Sequence, residues 1–253
     1  MVGASLSGIT FISVPGDVGS ISLTYFQVVI GYLFGYFIVA FVLLPIYYKQ
    51  NLTSIYQYLG DRFGRNSHMT GAFFFFVSRV LGAAFRLFLV AIVLQKFVFD
   101  SWRIPFEFTV TISILLIWIY TFRGGIKTVV WTDTIQTFLM ILSVFLSIYF
   151  ITTSLDTGFV DFLYSEDFKT KSDIFITDSI LEKNHFIKSF LGGVFITICM
   201  TGLDQDMMQK NLTCRTLYDA QKNMIVFSLI LVVVTFIFLI LGTLLFTYAE
   251  KND

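Results

Sequence analysis

The sequence predicts an all-α protein that crosses a membrane several times. Of its 253 residues, 56 % are hydrophobic and only 13 % are charged, whereas about 25 % of the residues in a soluble domain are charged. The mean hydropathy is +0.80, and 31 phenylalanines stand beside only three prolines, a composition that fits long apolar helices. The formal net charge is zero, which argues against a nucleic-acid partner.

The cysteine and histidine content excludes a disulfide framework and a His-Cys metal centre. Cys199 lies in an apolar segment and Cys214 in a basic loop, so no CxxC pair exists. His68 and His185 are too far apart in the sequence to suggest a metal cluster. We also find no Ser-His-Asp set and no phosphate-binding loop, so the sequence predicts neither an enzyme nor an organic cofactor.

Apolar segments alternate with polar connections along the chain. A spanning helix needs about 20 mainly apolar residues to cross roughly 30 Å of hydrocarbon. The first segment is shorter, and no basic region typical of a signal peptide precedes it. We therefore predict that the chain is a fragment that begins inside an element of a longer protein. We identify about seven segments: 1–15, 24–47, 69–98, 105–121, 126–153, 187–212 and 222–248.

Basic residues in alternate connections predict the orientation in the membrane. Cytoplasmic connections of membrane proteins carry an excess of Lys and Arg. The connections 16–23 and 99–104 share a single basic residue, Arg103, and the long connection 154–186 is net acidic. We expect these three to be extracellular. The connections with two or three basic residues, which we expect to be cytoplasmic, are 48–68, 122–127 and 213–222.

Two segments contain glycines and polar residues where a plain membrane anchor would not. Small and polar residues surround Gly8, in a segment that we expect to end at Pro15-Gly16, and Gly202 precedes Asp204 in the sixth segment. Interrupted helices in two related halves indicate a transporter site, because non-helical backbone is tolerated at membrane depth where it lines a cavity. We predict helix breaks at Gly8 and Gly202. Alternatively, the glycines serve close helix packing.

Charged side chains inside apolar segments are candidate functional residues, because such charges are costly. Asp204 is predicted to cap the half-helix after Gly202, where the helix dipole favours a carboxylate; alternatively, it lies in the inner loop. Arg79 and Arg86 are seven residues apart and share one helix face. Buried arginines pair with acids, carbonyls or an anionic ligand. Both are therefore predicted to form structural ion pairs, and Arg86 is the better candidate for direct contact with a substrate.

Asp133 lies at the inner start of the fifth segment, and its surroundings resemble a known signature. Beside Thr132 it supplies oxygens of the kind that a hard cation prefers, although pairing with Lys127 or Arg123 is an equal alternative. The surrounding run resembles the signature of the sodium:solute symporter family, which includes sodium/proline, sodium/sugar and sialic-acid carriers. That run is Tyr120-Thr-Phe-Arg123-Gly124-Gly125-Ile-Lys-Thr-Val-Val-Trp131-Thr132-Asp133-Thr-Ile-Gln136. Three further blocks agree in order and spacing: 7–16, 56–64 and 204–222.

The resemblance implies a partial leucine-transporter-like bundle, an inverted-repeat fold of five helices plus five. Residues 1–153 would be the first five-helix repeat with a truncated start. Residues 154–186 would be the extracellular connection. Residues 187–253 would open the second repeat with helices six and seven, the remainder of that repeat being missing.

The resemblance also implies which residues bind the ligands. Sodium would be held by the backbone carbonyls of Gly3 and Leu6, with Asp133 on its inner exit path and further ligands beyond Asp253. Leu6 and Ser5 depart from the Met and Asp of proline carriers, and Asp204 departs from the Asn of a sugar carrier. The substrate class therefore stays open. The implied substrate contacts are Ser5, Ser7, Thr10, Gln27, Arg86 and Asp204.

The function that the resemblance implies is sodium-coupled symport of a small organic solute by alternating access. The location would be the plasma membrane, or the inner membrane in a bacterium, with the lipid bilayer as surroundings and Na⁺ as the co-transported ion. An Arg86–carboxylate contact would suit an acidic or amino-acid-like solute. The alternative is a symporter-like sensor domain of a membrane signalling protein.

Overall fold

The computed structural model describes residues 8–52 and 54–252, with the side chains of all of them except 120 and 123–130. These residues form helices and no β-strand, which confirms the predicted all-α class. The α-helices are α1 (Gly8–Ile21), α2 (Tyr25–Ile38), α3 (Leu44–Lys49), α4 (Ile55–Phe63), α5 (Arg65–Leu94), α6 (Phe106–Ser154), α7 (Phe159–Tyr164), α8 (Glu166–Thr170), α9 (Phe186–Thr197), α10 (Gln205–Leu212) and α11 (Leu217–Asn252). Segments of π-helix follow α2, α5 and α9 at Val39–Leu43, Gln95–Phe99 and Ile198–Gly202.

Four helical stretches of the described residues are long and apolar enough to span a membrane. The helices on either side of the break after Gly202 qualify together as a fifth span, and Phe106–Ile119 is a shorter apolar helix. This supports a polytopic membrane protein. The four stretches are Gly8–Lys49, Arg65–Trp102, Trp131–Ser154 and Leu217–Asn252.

The end of the first helix differs from the prediction. We expected the segment to end at Pro15-Gly16, but α1 continues through Pro15 to Ile21. Proline is tolerated inside membrane helices because neighbouring groups and local adjustments satisfy the freed backbone. The chain turns instead at Ser22, whose φ of 52° lies in the left-handed region, and α2 begins shortly afterwards.

The connection predicted at 122–127 is also wrong. One helix, α6, runs through both the fourth and the fifth predicted segment. Isolated glycines lower helix stability only modestly, so the Gly124-Gly125 pair does not by itself end a helix. With 49 residues, α6 is about 74 Å long, at 1.5 Å per residue, well over twice the thickness of the hydrocarbon layer.

Glycines bring the helices of the core into backbone contact. A Cβ atom at Gly31 of α2 would lie 2.2 Å from the Phe190 carbonyl oxygen, and one at Gly193 of α9 would lie 2.2 Å from the Val28 carbonyl oxygen. Similarly, a Cβ at Gly242 of α11 would lie 2.6 Å from the carbonyl oxygen of Pro15 in α1. The core therefore consists of α2 against α9 and of α1 against α11.

Contacts at the two ends of the bundle bring together connections that the sequence assigns to the same side. At the end expected to be cytoplasmic, the Tyr48 hydroxyl donates to the Cys214 carbonyl at 3.0 Å. At the opposite end, Lys171 of the connection 154–186 pairs with Glu250 at 2.6 Å. The start and the end of α11 thus lie beside connections that were assigned to opposite sides.

Candidate functional site

The predicted break at Gly202 is confirmed and forms the centre of the candidate site. The π-helical segment Ile198–Gly202 ends α9, and after Leu203 the chain starts α10 at an angle of 66° to the preceding helix. Gly202 also serves close packing, since a Cβ there would lie 2.4 Å from Leu43 Cδ1. Both interpretations of this glycine therefore hold.

Asp204 caps the second half-helix, as the sequence predicts. Its backbone is extended (φ −87°, ψ 125°), and its Oδ1 accepts a hydrogen bond from the Met207 amide at 3.1 Å. A side-chain oxygen at the N-cap satisfies one of the amides that a helix start leaves without a partner. The carboxylate also complements the positive end of the α10 dipole.

The second oxygen of Asp204 forms an ion pair with Arg79 of α5. This confirms the predicted structural pairing of Arg79. The side chains are 37 % exposed for Arg79 and 22 % exposed for Asp204, so the described residues enclose the pair only in part. Since both carboxylate oxygens bind protein groups, Asp204 is neutralised and held in place within the chain.

An aromatic layer lies against the guanidinium of Arg79. Its Cζ is 5.2 Å from the ring centroid of Phe75, a cation–π distance, and the Phe75 ring is 5.5 Å from that of Tyr56 on α4. Burial, and next the charge of Asp204, raise the pKa of Tyr56, while Arg79 lowers it. Helix α4 thus contributes to the environment of the pair.

Side chains from neighbouring helices bind carbonyls of the π-helical segments Val39–Leu43 and Ile198–Gly202. The buried Tyr47 hydroxyl donates to the Gly202 carbonyl at 3.3 Å, and the Gln221 amide donates to the Ala40 carbonyl at 3.0 Å. A π-helical turn disturbs the regular hydrogen-bond ladder and is frequent at functional sites. Both donors therefore stabilise irregular backbone at the end of the α2–α9 contact where the two π-helical segments meet.

Gln27, a predicted substrate contact, binds backbone groups of the connection 154–186, which we expect to be extracellular. Its side chain is fully buried. The amide nitrogen donates to the carbonyls of Asn184 (3.0 Å) and Thr24 (3.3 Å), and the amide oxygen accepts from the Ile176 backbone at 3.3 Å. These contacts lie at the outer end of α2, so the structure does not bring Gln27 together with Asp204.

The remaining predicted site residues have different positions. Arg86 is exposed on α5, and no ion pair of its side chain occurs among the described residues. Asp133 on α6 and Thr10 on α1 are half-buried. Gly8 is the first described residue, so its predicted break is untested. The predicted ligands Gly3, Ser5, Leu6 and Ser7 lie outside the described residues.

Arg79 and Arg86 share one face of α5, but only the charge of Arg79 is balanced by an acid among the described residues. Arg79 is neutralised by Asp204, whereas the described ion pairs leave the charge of Arg86 unbalanced. Within the described residues, no three His, Cys, Asp or Glu side chains form a group that could hold a metal ion.

Sequence reasoning missed Tyr47, Tyr56 and Gln221. A tyrosine near the end of an apolar segment is typical of the membrane interface. For this reason nothing in the sequence indicates that the Tyr47 hydroxyl binds the Gly202 carbonyl. Tyr56 and Gln221 lie in polar stretches where many residues are solvated. Only the fold shows that these side chains reach an ion pair or a π-helical carbonyl.

Comparison with known proteins identifies one family for this chain. The sequence profile of the sodium:solute symporter family matches residues 1–251. Sodium-coupled monocarboxylate transporter 2 of Danio rerio is 26 % identical over 98 % of this chain and 39 % of its own length. The sodium/sialic acid symporter NanT of Aliivibrio fischeri is 28 % identical over 98 % of this chain and 48 % of its own.

A third relative, the sodium/sialic acid symporter SiaT of Proteus mirabilis, is 28 % identical over 98 % of this chain and 49 % of its own length. The chain thus spans less than half of the length of these three relatives.

Proposed function

Because this chain belongs to the sodium:solute symporter family, we propose that it is part of a sodium-coupled symporter for a small carboxylate. The proposed activity is secondary active transport across the plasma membrane, or the inner membrane of a bacterium, and not an enzymatic reaction. The names of the relatives describe transporters of monocarboxylates and of sialic acid, which favours transport over a sensor role.

The unbalanced charge of Arg86 is the observation that carries this proposal. Arg86 shares a face of α5 with Arg79, but only Arg79 has an acidic partner among the described residues. A charge inside a membrane segment needs a counter-charge, and a carboxylate offers the bidentate geometry that a guanidinium prefers. Monocarboxylates and sialic acid, the solutes named for the relatives, are both acids.

Sodium would provide the driving force and raise the affinity for the solute. We propose that the carbonyls of Gly3 and Leu6 hold the ion and that Asp133 lies on its inward path. Each ligand that stabilises the same conformer raises the affinity for the other. A monocarboxylate anion that crosses with one sodium ion carries no net charge, so the sodium concentration gradient would drive the pair. Each further sodium ion would move one charge, which releases about 2.3 kcal/mol across 100 mV.

The remaining proposed substrate contacts are Ser5, Ser7 and Thr10 on the first segment. Their hydroxyls could hydrogen-bond the carboxylate or its substituents. Asp204 and Gln27, whose oxygens bind protein groups in this structure, would join the substrate only after those contacts change.

The test is sodium-dependent uptake of a panel of monocarboxylates, amino acids and sugars by the full-length protein in proteoliposomes. A hydrogen bond to a charged group contributes about 1.5–3 kcal/mol, so Arg86→Ala should raise the KM for a carboxylate by roughly 10- to 100-fold. Arg86→Lys should recover part of that loss. An unchanged KM for the carboxylate would refute the assignment of Arg86.

Arg65→Ala is the matched control, because Arg65 is an exposed arginine at the start of the same helix. It should leave the KM unchanged. Sodium-dependent uptake of sugars alone, without any carboxylate, would contradict the proposed substrate class while leaving sodium symport intact.

A further inference from the structure

A cavity lies between the end of α6 and the middle of α11, apart from the candidate site. Its volume is about 840 Å³, and its lining comes from α6, α7, α11 and the turn that joins α6 to α7. Cavities that bind small organic ligands have volumes of about 300–1,000 Å³. None of the described residues that we propose for sodium or solute lines it. The cavity is therefore large enough for a ligand of its own.

The lining changes from apolar to polar along the cavity. Phe145 of α6 and Ile237 of α11 line its inner part, and the buried Ile148 lies between the two ends. Thr153 and Asp156 are exposed and line its outer end, on the side that we expect to be extracellular. Phe145 and Thr153 are about 12 Å apart along the helix axis, at 1.5 Å per residue. The cavity thus matches an amphipathic molecule with an apolar body and one polar end.

The outer end of the cavity carries a carboxylate without a balancing charge. No ion pair of Asp156 occurs among the described residues, whereas Asp167 of the same connection pairs with Lys251 at 2.8 Å. Asp156 lies in a turn with a φ of 54°, and its amide donates to the Thr153 carbonyl at 3.2 Å. The backbone therefore holds this carboxylate at the mouth of the cavity, where it attracts a positively charged group.

Two aromatic rings line the cavity close to this carboxylate in the chain. Tyr149 lies one turn before Thr153 on α6, and Phe159 is the first residue of α7. A cation is attracted to the face of an aromatic ring, and ammonium groups are recognised in this way. The combination of Asp156 with two rings therefore favours a ligand whose polar end is an ammonium group.

The threonine hydroxyls of the lining favour a ligand that donates hydrogen bonds. Thr152 Oγ1 donates to the Ile148 carbonyl at 2.8 Å, and Thr153 Oγ1 donates to the Tyr149 carbonyl at 2.8 Å. Since both hydroxyl protons are engaged, only the oxygen lone pairs remain for a ligand. A protonated primary amine has three donors and no acceptor, so it complements the carboxylate and the hydroxyl oxygens.

From these contacts we propose that the cavity binds an amphipathic amine. Its protonated amino group lies at Asp156, and its apolar body extends along Phe145 and Ile237. A lipid with a primary amine in its headgroup and a free alkylamine share this chemistry. The site goes beyond the proposed transport activity, because the Asp156 carboxylate repels a carboxylate solute and the apolar inner part offers no ligand to sodium.

The experiment uses a photoreactive dodecylamine that carries a diazirine in its alkyl chain. The full-length protein in phosphatidylcholine vesicles is illuminated with this probe, and mass spectrometry identifies the labelled peptides. We expect saturable labelling within residues 145–163 and 237–240. Asp156→Asn keeps the size of the side chain and removes its charge. It should raise the probe concentration for half-maximal labelling about fivefold, the effect of an ion pair that water can reach.

A photoreactive dodecanol with the same chain tests whether the charge is recognised. It should label the parent and Asp156→Asn proteins equally. Asp178→Asn is the matched control for the carboxylate, because Asp178 is an exposed acid of the same connection that does not line the cavity. It should leave labelling by the amine unchanged. An equal loss of amine labelling in Asp178→Asn would contradict the assignment of Asp156.

Filling the mouth of the cavity provides an independent variant. Thr153→Trp should reduce labelling by both probes at least fivefold, whereas Ser154→Trp should not, because Ser154 does not line the cavity. Both positions are exposed, and exposed substitutions generally change stability by less than about 0.5 kcal/mol. Equal amine labelling in the parent, Asp156→Asn and Thr153→Trp proteins would overturn the site, as would labels confined to other helices.

The lipid composition of the vesicles distinguishes the two sources of the amine. If a lipid fills the site, vesicles that also contain phosphatidylethanolamine should weaken labelling of the parent protein but not of Asp156→Asn. Unchanged labelling of the parent would assign the site to free amines. The absence of saturable labelling in both kinds of vesicle would contradict the proposal. Because no arm measures transport, failure of this site leaves the carboxylate symporter standing, and failure of carboxylate uptake leaves this test intact.

Discussion

The last helix, α11, and the stretch Arg65–Trp102, which begins with α5, are both strongly apolar, but very different fractions of them are buried inside the protein. Half of the most apolar stretch of Leu217–Asn252 is buried inside the protein, whereas only 6 % of that of Arg65–Trp102 is buried. Their mean hydropathies are 3.3 and 2.1, so both are apolar enough to span. Hydropathy identifies both as membrane segments but does not say which of them forms the core.

Small residues distinguish the two regions. In the core, which is formed by α1, α2, α9 and α11, backbones meet at Gly31, Gly193 and Gly242. On α5, Gly82 has no atom within 4 Å of a Cβ position. Large aromatic side chains are exposed there instead. They include Phe73, Phe74, Phe76 and Phe85.

Membrane physics explains why both surfaces are stable. Lipid tails are as apolar as leucine, so burying an apolar side chain against protein gains little over leaving it in lipid. Association of membrane helices depends instead on close van der Waals packing and interhelical hydrogen bonds. The exposed face of α5 can therefore contact lipid or further helices, whereas the stability of the core depends on close contact between its helices.

The largest effect should follow from filling a backbone contact in the core. Gly193→Leu would place side-chain atoms where the Val28 carbonyl now lies, 2.2 Å from the Cβ position. Overpacking costs about 1–3 kcal/mol, and we expect the upper end because backbone cannot move aside. Thermal unfolding of the purified full-length protein should show a clear drop in Tm or a loss of monodisperse protein.

Two control variants separate the effect of the backbone contact at Gly193 from the effect of replacing any glycine by leucine. Gly192→Leu changes the neighbouring glycine on α9, and Gly82→Leu changes one on α5. Neither Cβ position has an atom within 4 Å, so both variants should unfold within about 0.5 kcal/mol of the parent, as exposed substitutions generally do. A loss of stability in Gly82→Leu equal to that in Gly193→Leu would abolish the distinction between the two regions.

The same distinction explains how much of the fold the sequence could predict. Composition and segment length were sufficient for the all-α membrane class, because the hydrocarbon thickness sets the length of a span. They were not sufficient for helix ends. Pro15 and the Gly124-Gly125 pair are local signals of a break, and in both places the helix continues. Within a membrane, the helical backbone is strongly favoured because no water competes for its hydrogen bonds.

The charged residues of the candidate site could be predicted from the sequence, because a charge inside an apolar segment costs free energy. Asp204 and Arg79 stand out because an acid and a base in apolar segments need partners, and the structure pairs them. Tyr47 and Gln27 could not be assigned in this way. Their roles depend on carbonyls and amides of segments more than 140 positions away in the chain, and sequence spacing carries no information about such contacts.

A smaller effect should follow from removing the buried amide of Gln27. Gln27→Leu leaves the Ile176 amide and the Asn184 carbonyl without this partner. Both residues are half-buried, so we expect a cost of about 1 kcal/mol for each group, the lower end for an unsatisfied polar group. The outer connection should open more often, because local stability sets the rate of such openings. Trypsin added outside should cleave after the exposed Lys183 roughly 5- to 30-fold faster, corresponding to about 1–2 kcal/mol.

Gln136→Leu makes the same change on the exposed surface of α6 and should leave cleavage at its parent rate. If Gln27 contacts substrate instead of holding the connection, Gln27→Leu would raise the KM for the solute without accelerating proteolysis. That result would support the predicted role of Gln27 as a substrate contact. It would also show that the side-chain amide of Gln27 does not stabilise the connection 154–186.

The smallest effect should come from the hydroxyl of Tyr47. Tyr47→Phe removes one hydrogen bond to the Gly202 carbonyl and keeps the buried ring. Interhelical hydrogen bonds in membranes contribute about 0.6 kcal/mol on average, so the Tm should fall by only about 1–2 °C. Tyr149→Phe, on a ring that is 63 % exposed on α6, should cause no shift. A fall in Tm as large as that of Gly193→Leu would contradict the view that the Tyr47 hydroxyl contributes only this one hydrogen bond.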